Sequence, residues 1–553
     1  MAGGRLLFIP WRSLRLCGSI RWPLAAGRWP LAAGRWPLAA GRWPLAVLDC
    51  RDALSVAESR EGGMLIDELM TTSGVKFGTS GARGLATAMT DRVCYAYAHA
   101  FLRYVREQGA LAAGAEVGLA GDLRPSTERI LRACARAARD LGLEPRDHGR
   151  IPTPALAAHG IARGVPTLMV TGSHIPDDRN GIKFNLPSGE ILKDDEAAIR
   201  ALPVIAPGEL FTAAGAFVDA AAAPLPPASD AARGAYLRRY LDFFPEGCLR
   251  GLRVGVYEHS SVARDCLAEL LEALGAEVQR LARADRFVPV DTEAIRPEDV
   301  ALAREWCADG AFDALVSADG DGDRPLVADA RGEWLRGDIA GILCARQLGA
   351  TAVVTPVSSN TAVERCGGFT EVLRTRIGSP YVISGMTTLL GRGLAPVVGY
   401  EANGGFLLGS AIEHDGRVLP ALPTRDAVIV ALALLQASAA RALPLAALAA
   451  ELPPRFTASD RLREFPSAQS QSRIAALAAD PAAIGALFGE ALGAVAEVDQ
   501  TDGLRITFAA GEIVHLRPSG NAPELRVYAE ADSAEGARAR VAATRALLEG
   551  WRG

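Results

Sequence analysis

The sequence predicts an α/β protein of about three to four domains, and three observations point there. Apolar runs of strand length recur ahead of helical patterns or polar turns. Leu252-Arg253-Val254-Gly255-Val256-Tyr257 precedes the amphipathic stretch from Ala263 to Leu274, and Ala352-Val353-Val354-Thr355-Pro356 precedes a polar turn. Alternation of this kind layers helices on sheets. The length, 553 residues, allows several such units. Breaks at Phe244-Pro245-Glu246-Gly247, Arg336-Gly337-Asp338 and Leu452-Pro453-Pro454 supply candidate boundaries.

The first segment stands apart from that pattern. Arg21-Trp22-Pro23-Leu24-Ala25-Ala26-Gly27 recurs in tandem through Ala46, and five of the eight tryptophans lie before Asp49. Proline in every copy breaks a helix, and the period is too short for a solenoid unit. The segment is basic, apolar and poor in acids, as targeting peptides are, but holds no uninterrupted apolar span long enough for a membrane helix. Because Met64 precedes Leu65-Ile66-Asp67-Glu68-Leu69-Met70, residues 1–63 read as translated repeat DNA ahead of the true start. They are expected to be disordered and without function.

Further along, Thr167-Leu168-Met169-Val170 reads as a strand end followed by Thr171-Gly172-Ser173-His174-Ile175-Pro176. A serine on such a turn is exposed and reactive. The spacing is not the G-x-S-x-G of a hydrolase elbow. His174 directly follows the serine, and adjacent residues seldom point at each other, so a triad base is not indicated. A plain serine turn is the structural alternative.

The strand-like Phe312-Asp313-Ala314-Leu315-Val316 leads into Ala318-Asp319-Gly320-Asp321-Gly322-Asp323-Arg324. Three carboxylates at alternate positions repel one another unless a cation neutralises them, and hard oxygen ligands suit Mg²⁺ or Ca²⁺. An EF-hand fits poorly, because Arg324 and Ala330 stand where its Gly and Glu belong. Arg324 beside such a site indicates an anion that completes it. Two more loops follow strand-like runs. Glu401 and Asn403 lie past Ala395-Pro396-Val397-Val398-Gly399 and can hydrogen-bond hydroxyls, although Glu401 also reads as an ordinary loop carboxylate. Past Glu512-Ile513-Val514-His515-Leu516, the side chains of Arg517, Ser519 and Asn521 and the Gly520 amide can grip a phosphate, or simply turn the chain.

Five segments together give the chain a resemblance to the α-D-phosphohexomutases, the family of phosphomannomutases and phosphoglucomutases. They are Phe77-Gly78-Thr79-Ser80-Gly81-Ala82-Arg83-Gly84, Thr171 to Phe184, Asp319 to Arg324, Gly399 to Gly405, and Arg517 to Arg526. They occur in the family's order and cover the chain from about Lys76 to its end. The resemblance implies that Ser173 is carried as a phosphoserine and that Mg²⁺ is held by its phosphate with Asp319, Asp321 and Asp323. It implies a hexose monophosphate substrate, a 1,6-bisphosphate intermediate, and a sugar 1,6-bisphosphate as activator. Catalytic roles would fall to Ser173, His174, Lys183, Arg83 and Arg324, with His174 and Lys183 both candidates for the proton acceptor. Substrate binding would fall to Glu401, Asn403, Arg517, Ser519, Gly520 and Asn521.

The resemblance also implies four domains around a central cleft: residues 64–245, 246–337 and 338–452 as three related α/β domains, and 453–553 as a smaller α+β domain. A monomer or homodimer is expected. Asp122-Leu123-Arg124-Pro125-Ser126-Thr127 would support the first domain, and Thr375-Arg376-Ile377-Gly378-Ser379-Pro380-Tyr381 would bring residues towards the ligand. The Gly-Asn-Ala-Pro form of the phosphate loop resembles phosphomannomutase-type members. Phosphoglucomutase or dual specificity is the close alternative, and phosphoglucosamine mutase a more distant one. Many members carry Ser where Asn403 stands and His or Ser where Gly405 stands.

Composition excludes some classes. A net charge of −5 and a pI near 5.9 leave no basic stripe for nucleic acid. Nine cysteines without CxxC spacing indicate neither a zinc site nor a disulfide framework, which fits a reduced cytoplasm without a membrane partner. Lysine is scarce, at Lys76, Lys183 and Lys193 only, so an ammonium retained inside a motif is informative. A metal-dependent phosphohydrolase would also cluster aspartates, but it would normally use an Asp nucleophile and would leave the serine loop unexplained. A non-catalytic sugar-phosphate sensor would not need Ser173, the three aspartates and Arg517 together.

Overall fold

The computed structural model describes residues 63–204, 206–519 and 523–552. The expected N-terminal extension, apart from Gly63, and the phosphate-loop residues Gly520 and Asn521 lie outside the described residues.

Three sheets share one plan. In each, two parallel strands flank a first strand, and a fourth strand then folds back antiparallel. The second sheet shows it most simply, with Glu277–Arg283, Arg253–His259 and Ala314–Ala318 parallel and Pro325–Ala328 antiparallel. Glu371–Thr375, Ala352–Pro356, Val397–Tyr400 and Phe406–Leu408 repeat that order in the third sheet. The first sheet has the same unit in Glu144–Asp147, Glu116–Gly121, Thr167–Val170 and Arg179–Leu186. It then extends antiparallel through Gly81–Leu85 to Lys76–Phe77. The strands Thr167–Val170, Ala314–Ala318, Ala352–Pro356 and Val397–Tyr400 are buried at every position, which is why they read as unbroken apolar runs rather than alternating ones.

The fourth sheet is different. Phe456–Arg463, Glu524–Ala531, Ile513–Pro518, Leu504–Phe508 and Val495–Asp499 run antiparallel throughout. Helices Ser467–Ala478, Pro481–Leu492 and Ala534–Glu549 close it through Ile474, Phe488 and Val541 against Ile506, Leu516 and Val527.

The first three sheets share a continuous core that includes Ala120, Met169, Val254, Val316, Val353 and Tyr400. Helix Ala427–Arg441 belongs to it and is buried almost all round, which explains its uniformly apolar sequence. Asp426 caps that helix, accepting from the Val428 amide at 3.0 Å, and also accepts the hydroxyls of Tyr236 at 2.7 Å and Tyr240. Helix Ala231–Phe243 is thereby tied to the core helix. No single helix among the described residues is long and apolar enough to cross a membrane.

Asp426→Ala removes the cap and leaves two buried tyrosine hydroxyls without an acceptor. A loss of about 3–5 kcal/mol is expected, read as a lower urea midpoint.

Candidate active site

The shared plan places three loops alike. Each connects the third parallel strand of its sheet to the antiparallel fourth: Thr171–Asp178 in the first sheet, Asp319–Arg324 in the second and Glu401–Gly405 in the third.

In the first loop, Ser173 is buried, not exposed as its turn suggested, because the Asp loop packs over it; it adopts φ +59°, a left-handed conformation uncommon for a residue with a side chain. A buried network holds it there. Arg124 donates to the carbonyl of Ser173 at 3.0 Å and to that of Ile175, while pairing with Asp122. Asp122 in turn accepts from Thr171 and Thr127, each at 2.8 Å, and the Thr171 hydroxyl receives the Ser173 amide at 2.8 Å. The Asp122–Thr127 segment therefore scaffolds the serine loop.

The Asp loop packs directly on this turn. A Cβ at Gly320 would stand 2.7 Å from the Ser173 carbonyl oxygen, so the two backbones approach this closely only because residue 320 is glycine. Asp319, Asp321 and Asp323 are fully buried, and each offers an oxygen within 4.8 Å of the others. Ser173 Oγ donates to Asp319 Oδ2. Lys183 Nζ, on strand Arg179–Leu186, donates to Asp321 at 2.6 Å and to Asp323 at 2.5 Å. Thr153, at the start of helix Thr153–Arg163, donates its hydroxyl to Asp321 Oδ2 at 2.6 Å. Asp321 Oδ1 and Asp323 Oδ1 are buried with no hydrogen-bond partner. Asp323 Oδ1 has only the Arg324 guanidinium at 3.8 Å. Oxygens so buried and without hydrogen bonds fit a hard dication, which Asp319, Asp321, Asp323 and the oxygen on Ser173 could hold.

The electrostatics agree. Burial, and then the neighbouring Asp321 and Asp323, push the Asp319 carboxyl well above its usual range. Burial has the same upward tendency at Asp323, but Arg425, Lys183 and Arg324 outweigh it and hold that carboxyl low. Lys183 is raised: burial opposes its charge, and Asp321 and Asp323 more than offset this. It is a fixed ammonium at neutral pH.

Cations ring the serine. Arg324 Nη1 stands 2.9 Å from His174 Nδ1, and Ser173 Oγ lies 3.3 Å from the same nitrogen. The positive φ at Ser173 thus brings two adjacent side chains together, contrary to the expectation that neighbours diverge. Burial, followed by Arg324, lowers the His174 pKa to about 3, so its ring is neutral. Arg83, on strand Gly81–Leu85, has its pKa lowered to about 10 by burial and then by Arg324. Among the described residues its guanidinium has no hydrogen-bond or ion-pair partner. An unpaired cation facing like charges is a place for an anion.

The third loop joins through a residue the sequence did not single out. Arg425 is buried, 3.0 Å from Asp323 Oδ2 and 3.4 Å from Glu401 Oε2. Its aliphatic stem covers Gly405, where a Cβ would meet Arg425 Cδ at 2.6 Å. Glycine at 405 and arginine at 425 are therefore one packing solution. Asn403 Oδ1 accepts from the Gly405 amide at 2.9 Å, and Thr292 donates to the Asn403 carbonyl at 2.7 Å.

On the fourth sheet, Arg517 Nε donates to Asp502 Oδ2 at 2.8 Å, and the same oxygen accepts the Ile377 amide at 3.0 Å. Arg376 donates to the Thr501 carbonyl at 3.1 Å. The Thr375–Tyr381 segment thus clasps the turn between Val495–Asp499 and Leu504–Phe508, whose Asp502 holds Arg517. Ser519 is buried, with its amide on the Glu524 carbonyl at 2.9 Å.

The chain is similar to known proteins in sequence and in fold. Residues 74–202 match domain I of the phosphoglucomutase/phosphomannomutase family, described as alpha/beta/alpha. Residues 336–456 match its alpha/beta/alpha domain III, and residues 468–547 its C-terminal domain. A phosphomannomutase of Sinorhizobium fredii is 45% identical over 475 residues, 86% of this chain and 99% of that protein. One from Salmonella muenchen is 45% identical over 470 residues, covering 85% and 95%. A phosphoglucomutase/phosphomannomutase family protein from Burkholderia thailandensis shares the fold, with a TM-score of 0.66 at 22% identity over 86% of this chain and 97% of that one.

Mn²⁺, followed by electron paramagnetic resonance, is expected to bind at the three aspartates. Asp323→Asn should weaken that binding at least about tenfold, or about 1.4 kcal/mol.

Proposed function

The chain belongs to the phosphoglucomutase/phosphomannomutase family, and from that premise we propose that it is a Mg²⁺-dependent phosphomannomutase, interconverting mannose 6-phosphate and mannose 1-phosphate. The carrying observation is Ser173: its hydroxyl is bonded to a carboxylate of a loop whose other two carboxylates keep unpartnered buried oxygens. The 45% identity to phosphomannomutases along most of the chain favours mannose over glucose.

In this reading Ser173 carries the phosphoryl group, and Asp319, Asp321 and Asp323 hold Mg²⁺, which supplies charge neutralisation when bound. A hydroxyl of the bound hexose monophosphate attacks the phosphorus in line. The new O–P bond forms as the bond to Ser173 Oγ breaks, and the hydroxyl proton passes to a base. The product of this half-reaction is the 1,6-bisphosphate. After it turns around, its other phosphate returns to Ser173 Oγ, and the opposite monophosphate leaves. A sugar 1,6-bisphosphate is the activator that restores the phosphoserine when it is lost.

The side chains divide this work. Arg83, Arg324 and Lys183 face the charge that moves between oxygens. The hydroxyl proton passes to His174 or Lys183, the two candidates that stand beside Ser173 and the aspartates. Arg517, Ser519, Gly520 and Asn521 grip the phosphate that is not reacting. Glu401 and Asn403 hold sugar hydroxyls. The carbonyl of the Asn403 side chain is committed to Gly405, which leaves its NH₂ group to donate.

Turnover of mannose 1-phosphate and glucose 1-phosphate, with Mg²⁺ and bisphosphate present, tests the proposal. A higher kcat/KM for mannose is expected, and an equal or reversed ratio would make the enzyme a dual-specificity mutase or a phosphoglucomutase. Ser173→Ala should lose at least about 10⁴-fold in kcat with the circular dichroism spectrum unchanged. Near wild-type activity in that variant would remove the phosphoserine mechanism. Asp502→Ala frees Arg517 from its anchor and should raise KM about tenfold while changing kcat less.

A further inference from the structure

One cluster of metal-ligating side chains lies outside the machinery above. Glu116 begins strand Glu116–Gly121, His148 follows strand Glu144–Asp147, and His159 sits on helix Thr153–Arg163. The sequence gives no spacing motif for them, because they come from three elements of the first sheet and its covering helix. Each offers a ligand atom within 4.8 Å of the other two.

The contacts inside the cluster favour an ion over a purely structural pairing. His159 Nε2 stands 3.2 Å from Glu116 Oε1. A tetrahedral ion with bonds of about 2.0–2.1 Å separates its ligand atoms by about 3.3 Å, so these two already stand at ligand spacing. Arg163 touches only the other oxygen, Glu116 Oε2, at 3.4 Å, and leaves Oε1 to the cluster. His148 is 4% exposed, and neither of its ring nitrogens makes a hydrogen bond of good geometry, the Ser229 backbone offering only a weak one. A buried imidazole with both nitrogens unsatisfied is rare without a reason. Its ring centroid lies 4.4 Å from that of His159. Burial, and next the proximity of His159, lower the His148 pKa and keep the ring in the neutral form that ligates metals. His159 and Glu116 reach the surface, with side chains 11% and 19% exposed, which gives an ion a way in and room for a water ligand.

We infer that Glu116, His148 and His159 form a second metal site, separate from the three aspartates, for a borderline transition-metal dication of the Zn²⁺ class. Two imidazoles and one carboxylate select such an ion over Mg²⁺, whose ligands are oxygens. The site would pin helix Thr153–Arg163 to the sheet. The first residue of that helix donates to Asp321, so the ion would steady one wall of the catalytic loop from a distance.

The test uses the full chain, stripped with a chelator and kept in excess Mg²⁺ so that the aspartate loop is filled. Co²⁺ should then bind once per chain with the visible absorption of an imidazole-ligated, low-coordinate ion, which an all-oxygen site does not give. Zn²⁺ should raise the melting temperature under the same conditions. His159→Gln, at the more accessible histidine, should lower Co²⁺ affinity at least about hundredfold and abolish the Zn²⁺ shift while retaining mutase activity. His148→Gln should do the same if it folds, and His159→Gln decides if it does not. The inference is overturned if the wild-type chain shows no such absorption in excess Mg²⁺, or if both histidine variants keep it. Because neither readout involves the sugar phosphate, this outcome is independent of the catalytic proposal.

Discussion

Three carboxylates buried on one turn are the constraint around which this site is organised. Asp319, Asp321 and Asp323 have no solvent to relieve their repulsion, so the protein must bring positive charge to them. It does so from two other sheets: Lys183 from the first, and Arg425 from just before the core helix that follows the third. Thr153 adds a hydroxyl. The neutralisation is incomplete, and the oxygens left over could hold a dication. Electrostatic need and tertiary assembly are thus the same problem here, since the second sheet's loop is satisfied only when the other sheets are docked.

Much of this was legible in the chain. Ser173 and the three aspartates announce themselves because their chemistry is carried by adjacent residues on one loop, after strands whose all-apolar runs mark full burial. The interdomain partners were harder. Arg425 lies in Pro423-Thr424-Arg425-Asp426, which reads as a turn leading into a helix cap, and nothing local says that its guanidinium spans Asp323 and Glu401. Gly405 packs under the stem of that arginine, which the sequence does not show. Asp502 looks like an ordinary turn residue until the fourth sheet is docked on Ile377. The contact between Ser173 and His174 was misjudged for a conformational reason, because the rule that neighbours diverge assumes ordinary backbone, and Ser173 has φ +59°.

Asp502 bears on how a mutase site handles its cargo. One carboxylate oxygen serves both the Arg517 guanidinium and the Ile377 amide, so the same charge that orients Arg517 also fastens the last sheet to the third. The orientation of Arg517 and the docking of the last sheet are therefore not independent.

The reuse of one strand order in three sheets, each with its functional loop at the same corner, has a consequence for how such a protein diversifies. The corner is where a parallel strand reverses into its hairpin partner, and in the first two sheets it is buried and packed against its counterpart. A change of side chain at such a corner therefore acts on ligand preference and on docking together. Errors in one copy's scaffold, conversely, are not masked by the other two, because each corner contributes a different function. Repetition of the strand order thus brings a division of labour, not redundancy.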